Sequence, residues 1–359
     1  MIYLVFILIL FTLSIFDLSK SKDQKLFFYL ISISIIIAFS GLRWNTGTDW
    51  ESYFEYFNTE DNYHLFEPGY VWLVKFSKLL YNNYTFFLIL LSIIILAFFG
   101  KANYKLSPYP IFSVFIFISL VLPFWVRQSF SLAILFFAFY TLTNNNKKFF
   151  VFLVFIACLF HYSALIALPL IFFYDSFLSP KKVFLLLIAA VVISKLNLLS
   201  FVLDFLIQIL GISEYLGVAK LSTYLTSETI NENIDYGLRN LVSMINIFAY
   251  VALFLFFRNR LEKNKVVFNI FLNIYLYGAI INLLSMGDVD TLRRFSMFFS
   301  IAPVILFPIL IQNVKDKFLK ITFVLVITVI SFGRYYGNLT SYWSEYYPYI
   351  STFNKIERR

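Results

Sequence analysis

The stretch YTFFLILLSIIILAFF, Tyr84–Phe99, carries no charge and runs straight into GKANYK, which holds Lys101 and Lys105. About 20 apolar residues cross a bilayer as a helix, and short loops rich in Lys and Arg stay cytoplasmic. An apolar run closed by lysines therefore reads as a membrane span that ends inside. The same pattern recurs along the chain. Lysines cluster in breaks at Lys20, Lys22 and Lys25, at Lys147 and Lys148, at Lys263 and Lys265, and at Lys315, Lys317 and Lys320. Most arginines fall in the alternate breaks, at Arg43, Arg127, Arg239, Arg293, Arg294 and Arg334. With the lysine breaks inside, the arginine breaks lie outside, where topology has no need of positive charge.

Composition agrees with a membrane solvent. Of 359 residues 60% are hydrophobic and only 14% charged, against about 25% charged in a soluble domain. The expected fold is all-α: a polytopic integral membrane protein forming one domain over residues 1–359, with roughly 11–13 transmembrane helices and short interfacial or re-entrant helices. The net charge of +9 is explained by lysine placement, so nucleic acid is not an expected partner. The single cysteine, Cys158, excludes a disulfide framework. Two histidines, His64 and His161, cannot make a histidine-rich metal site, and no cofactor or metal is expected. Met1–Phe16 lacks the basic leader and small-residue cleavage site of a signal peptide and reads as a retained helix.

Alternating inside and outside breaks places four polar segments on the outer face: loops 41–69, 211–237 and 287–294, and the C-terminal tail 335–359. Expected spans include Ile2–Leu18, Leu26–Ser40, Tyr109–Trp125, Arg127–Leu142, Val183–Leu199, Leu238–Phe257, Val266–Met286, Phe295–Ile311 and Phe318–Gly333. Gly69–Leu80 is too short to span and reads as an interfacial or re-entrant helix, with a shallow span as the rival. Phe149–Phe173 is interrupted by His161 and Pro169; two short helices meeting near His161 satisfy the positive-inside rule better than one long span.

Arginine binds phosphate through a planar, permanently charged fork, so outward arginines suggest a lipid-linked phosphate or pyrophosphate. Arg43, Arg127, Arg293 and Arg294 are the candidates. Arg43-Trp-Asn-Thr-Gly-Thr-Asp49 puts a fork, a compact turn and a carboxylate in one loop, and Glu67-Pro-Gly opens the next short helix. The ordinary reading of both is a helix cap with interfacial aromatic anchors. A lone arginine such as Arg127 commonly snorkels to headgroups. His161 interrupts an apolar run, and ionisable residues within spans are functional by default; the ordinary alternative is an interhelical hydrogen bond to a serine or a carbonyl. His161, Asp49 and Glu67 are the candidate general bases, unranked by the sequence. Asp288-Val-Asp290-Thr-Leu-Arg293-Arg294 also reads as a locally neutralised turn.

Arg43 through Asp49, Glu67-Pro-Gly, Arg127, Phe160-His161-Tyr-Ser-Ala-Leu-Ile and Arg293-Arg294-Phe occur in the order found in the EpsG family, whose members are similar in role to Wzy polymerases. The resemblance spans nearly the whole chain. It implies a bacterial surface polysaccharide polymerase in the cytoplasmic membrane, joining undecaprenyl-pyrophosphate-linked oligosaccharide units at the outer face. It also implies membrane lipid, a chain-length regulator and a flippase as partners. Two other classes compete. A flippase for the same lipid would show paired broken helices in two related halves, which this chain lacks. A membrane O-acyltransferase also uses a histidine, but six outward arginines exceed what an inside acyl donor requires.

Overall fold

The structure, a computed structural model, describes residues 1–60, 66–124, 126–198, 236–286 and 290–354. Among the described residues it is all-helical apart from one pair of two-residue strands. Most of the expected outer loop 211–237, and 287–289 of the loop 287–294, lie outside the described residues. Five described helices are long and apolar enough to cross a membrane: α2 (Lys22–Gly41), α5 (Tyr84–Leu106), α10 (Tyr236–Arg258), α11 (Lys265–Leu284) and α14 (Lys317–Thr340). Shorter apolar helices accompany them: α1 (Ile2–Leu13, tightened to a 3₁₀ turn over Ser14–Leu18), α6 (Pro110–Leu120), a 3₁₀ helix Tyr162–Phe172, and α13 (Pro303–Asn313). The remaining helices among the described residues are α3 (Trp50–Thr59), α4 (Pro68–Leu80), α7 (Arg127–Thr143), α8 (Lys147–Cys158), α9 (Pro180–Lys195), α12 (Asp290–Ser296) and α15 (Trp343–Tyr346), with strands β1 (Arg43–Trp44) and β2 (Ile350–Ser351).

Backbone contacts divide the chain into two compact units. The first joins Met1–Ile171 to Pro303–Arg359; the second is Phe172–Ala302. In the first unit α6 packs against α1, α2, α5, α13 and α14. It is apolar all round and buried from Pro110 to Ser119, as a helix with no polar face must be. Its N-terminus is capped from a distance: the Asp17 carboxylate accepts from the Phe112 amide at 2.8 Å. At the other end the antiparallel strands pair Arg43 with Ser351 and Trp44 with Ile350, which places the first loop and the C-terminal tail at the same end of this unit. α7 and α8 form a close pair, closed by the turn Asn144–Asn146.

Two expected spans are shorter than the sequence suggested. Tyr109–Trp125 is helical only to Leu120, and Val121 is already extended. Pro123 cannot donate to a helix and disfavours helical geometry in the residue before it. The freed carbonyls are taken up by other elements, as a low-dielectric surrounding demands. Ser40 Oγ donates to the Pro123 carbonyl at 2.6 Å, Arg43 reaches Pro123 and Phe124, and the Asn338 amide reaches Ser119 at 3.2 Å. Phe295–Ile311 is likewise not continuous. α12 ends at Ser296, turns occupy 297–302, and α13 begins with Pro303, a residue suited to the first helical position.

In the second unit α9, α10 and α12 pack on α11. The Asn273 amide group donates to the carbonyls of Phe173, Tyr174 and Ser176 at 3.2, 2.8 and 2.8 Å. Arg258 donates to the Leu178 carbonyl at 2.8 Å and lies over the Phe177 ring. Together they hold the irregular 173–178 segment.

Candidate functional site

Arg127 and His161 stand 60 and 94 residues after Glu67 in the sequence, yet all three meet in the first unit. Glu67 precedes α4, whose first residue, Pro68, has the fixed φ that begins a helix. Gly69 then lets the start of α4 approach the end of α8. Its amide donates to the Leu159 carbonyl at 2.8 Å, and a Cβ there would stand 2.7 Å from that oxygen. α8 ends at Cys158 and the 3₁₀ helix starts at Tyr162, so His161 lies in the break between them. This agrees with two short helices meeting near His161. Arg127 opens α7, and Phe130 one turn on stacks against Phe160 at 3.9 Å between ring centres. Each residue is thus delivered by a different helix end.

The contacts converge on one carboxylate. Arg127 Nη1 donates to Glu67 Oε2 at 2.5 Å, and His161 Nδ1 lies 3.2 Å from Glu67 Oε1. Arg127 Nε donates to the Tyr53 hydroxyl at 3.0 Å, and the guanidinium sits over the Phe66 and Tyr53 rings at 5.0 and 5.5 Å. The Glu67 side chain is 7% exposed, whereas Arg127 and His161 are 26% and 30% exposed. The carboxylate is therefore the buried hinge, and the cation and imidazole reach the surface. Burial pushes the Glu67 carboxyl up, but the hydrogen bond from His161 and the charge of Arg127 outweigh it and hold it below its ordinary value. Burial pushes the Tyr53 hydroxyl up, so it stays protonated.

Arg43 is placed differently. It is 3% exposed, and its Nη1 donates to the Pro123 carbonyl at 3.0 Å and to Ser40 Oγ at 3.2 Å. Nη2 donates to the Phe124 carbonyl at 3.1 Å. Its guanidinium ties the unwound end of α6 to the end of α2, so its fork is not presented to the surface. Asp49 stands at the N-terminus of α3, exposed and without a capping hydrogen bond, and makes none of the contacts that join Glu67, Arg127 and His161. Arg293 and Arg294 belong to the second unit, on α12; Arg293 Nη1 donates to Asn240 Oδ1 at 3.2 Å.

Sequence reading missed Tyr53. The signal lay in the spacing: Trp50, Tyr53 and Phe57 recur at helical intervals within a loop rich in polar residues, and with Tyr56 they form the buried face of α3. Lys78 on α4 pairs with Glu60 just beyond α3 at 2.7 Å and fixes α3 beside α4.

The model of the EpsG family matches residues 26–351, a range that contains every residue of this cluster. No curated protein and no solved structure matches the chain.

Proposed function

The chain belongs to the EpsG family, membrane proteins linked to exopolysaccharide biosynthesis, and from that premise we propose that it is a polysaccharide polymerase. It joins undecaprenyl-pyrophosphate-linked oligosaccharide units at the outer face of a bacterial cytoplasmic membrane. The observation that carries this reading is Glu67, one buried carboxylate gripping both a histidine and an arginine.

The chemistry follows from those contacts. With the Nδ1 proton donated to Glu67, His161 presents Nε2 as the base, the arrangement in which a carboxylate fixes tautomer and ring orientation. An acceptor sugar hydroxyl loses its proton to Nε2 while its oxygen attacks the anomeric carbon of the donor. The bond from that carbon to the pyrophosphate oxygen breaks, and the electron pair leaves with the lipid pyrophosphate. Arg127 stabilises the charge that develops there. Its Nε and Nη1 are held by Tyr53 and Glu67, which leaves Nη2 for a phosphate oxygen. Glu67, held ionised by these neighbours, is a weak base and serves to position the other two. Arg43 positions the loop that leads into Arg127.

The test is a ladder assay: purified protein with lipid-linked repeat units, read for longer lipid-linked products. The wild type makes a ladder. His161→Gln, which keeps hydrogen bonding but loses proton exchange near neutral pH, does not. Arg127→Lys also fails, because one ammonium cannot reach Tyr53, Glu67 and a phosphate in a fixed plane. A full ladder from His161→Gln removes the base assignment, and the absence of any ladder from the wild type removes the polymerase reading.

A further inference from the structure

α14 is 24 residues long, about 36 Å at the rise of an α-helix, against a hydrocarbon core of about 30 Å. The chain beyond its C-terminus therefore stands clear of the lipid tails. Only Ser341 and Tyr342 separate it from α15, and α15 is tied to the first loop rather than to a span. The Gly47 amide donates to the Glu345 carbonyl at 3.0 Å. Thr48, Asp49, Ser344 and Glu345 stand exposed at this join, and its two carboxylates would be repelled by the phosphates of lipid headgroups.

α15 nevertheless presents two large rings that the fold leaves uncovered. Trp343 and Tyr347, one helical turn apart, lie parallel to within 10° with ring centres 4.8 Å apart. They are 44% and 48% exposed. Each ring shields one face of the other, so what remains open is the outer face and the edges, and the stack holds both rings in one orientation. Leaving such area in water forgoes the stabilisation that burial would give. The residue between them in the helical turn, Tyr346, is 1% exposed and stacks on Phe124 at 5.2 Å. Arg127 follows Phe124 by three residues, at most about 10 Å along an extended chain. The ring pair is thus anchored to the segment that delivers Arg127 to Glu67.

Trp and Tyr supply large, rigid, amphipathic contact area at small cost in side-chain entropy. A pyranose ring is their complement, with C–H groups across one face and hydroxyls around its rim, and the family is linked to exopolysaccharide biosynthesis. We infer that Trp343 and Tyr347 form a stacking platform for saccharide, which holds the glycan beyond the unit being joined and retains the chain between additions. The retention rests on the polymerase reading above; the stacking does not.

The experiment uses the full chain in nanodiscs. The probe is a set of lipid-free oligosaccharides released by mild acid from the exopolysaccharide of the cells that carry the protein. The wild type binds them, and Trp343→Ala and Tyr347→Ala each weaken binding by about tenfold, the scale of one aromatic stacking contact. Trp343→Leu keeps an apolar side chain for packing or lipid contact but offers no flat face, so the same loss is expected from it, and it decides the matter if Trp343→Ala does not fold. Tyr336→Ala removes an exposed ring from the last turns of α14, 65% exposed, and should bind as the wild type does. In the ladder assay the Trp343 and Tyr347 variants should shift products toward shorter rungs. Wild-type affinity in Trp343→Leu and Tyr347→Ala, or an equal loss in Tyr336→Ala, overturns the platform. Ring-dependent oligosaccharide binding without any wild-type ladder would overturn the polymerase and leave the platform. A wild-type ladder with ring-independent binding would do the reverse.

Discussion

Glu67 has two partners that lose their common acceptor if it is replaced. Glu67→Gln should destabilise the protein by about 1–3 kcal/mol, the scale of stranding partly buried charged donors. The effect carries a pH signature. The carboxyl is held below its ordinary 4.5 in the folded protein, so it contributes stability above that value and loses it as pH falls through the folded value. Melting temperatures of wild type and Glu67→Gln in detergent should therefore differ at pH 6 and converge in acid, as the pH falls through the depressed value of the folded carboxyl. A constant gap down to the lowest pH would mean that Glu67 is not ionised in this pairing. Tyr53 acts one step further out, on Arg127. Tyr53→Phe keeps the ring and removes the hydroxyl, and about tenfold should be lost from kcat/KM in the ladder assay. Combined with Arg127→Ala it should add nothing, because its effect passes through Arg127. Additive losses would give Tyr53 a separate part.

Among elements, the start of α4 matters most, because it carries Glu67 to the break between α8 and the 3₁₀ helix. Gly69→Ala would press a methyl group to 2.7 Å from the Leu159 backbone oxygen, and backbone gives way poorly. A destabilisation of about 1–3 kcal/mol is expected, with a larger loss of polymer than of folded protein because Glu67 moves with the helix. Gly333→Ala on α14, where a Cβ meets nothing within 4 Å, is the control and should be neutral or slightly stabilising. Equal behaviour of the two variants in melting and ladder assays would show that the close approach of α4 to α8 is dispensable. α6 makes a related point. Its early end at Leu120 turns an apolar run that looked like a complete span into a short helix and an extended segment, whose carbonyls then recruit Ser40 and Arg43.

At the scale of the molecule, the first unit is assembled from both ends of the chain. Tyr3 donates to the Tyr346 carbonyl, Tyr335 donates to the Tyr3 carbonyl at 3.2 Å, and the Thr352 amide donates to the Leu42 carbonyl at 2.8 Å. The arginine breaks at Arg43 and Arg127 gather at this end, with His161, while the turn after Asp17 and the start of α6 meet at the other. That division matches the lysine and arginine alternation and predicts sidedness. In a cysteine-free background made by replacing Cys158, Ser52→Cys, exposed on α3, should react with an impermeant thiol reagent applied outside intact cells. Asn144→Cys, exposed in the α7–α8 turn, should react only after the membrane is opened. The reverse pattern would place the Glu67 cluster on the cytoplasmic side and end the reading of an outer-face polymerase.

The amino-acid sequence by itself determined the membrane class, the all-helical fold, the alternation of lysine and arginine breaks and the family, because apolar length and loop charge act locally and can be counted. It also supplied Glu67, Arg127 and His161 as candidates, since a carboxylate at a helix start, an arginine at the outer end of a span and a histidine within an apolar run are not what apolar packing alone produces. Only the tertiary structure decided that these three meet. It also turned Arg43 onto the carbonyls of an unwound segment, set Asp49 apart from the cluster, and brought in Tyr53. The physical reason is that hydrogen bonds across 60 to 94 residues depend on how helix ends approach one another. That approach is governed by features that leave little trace in a hydropathy pattern: one glycine against a carbonyl, one proline that ends a helix, and one stacked pair of phenylalanines.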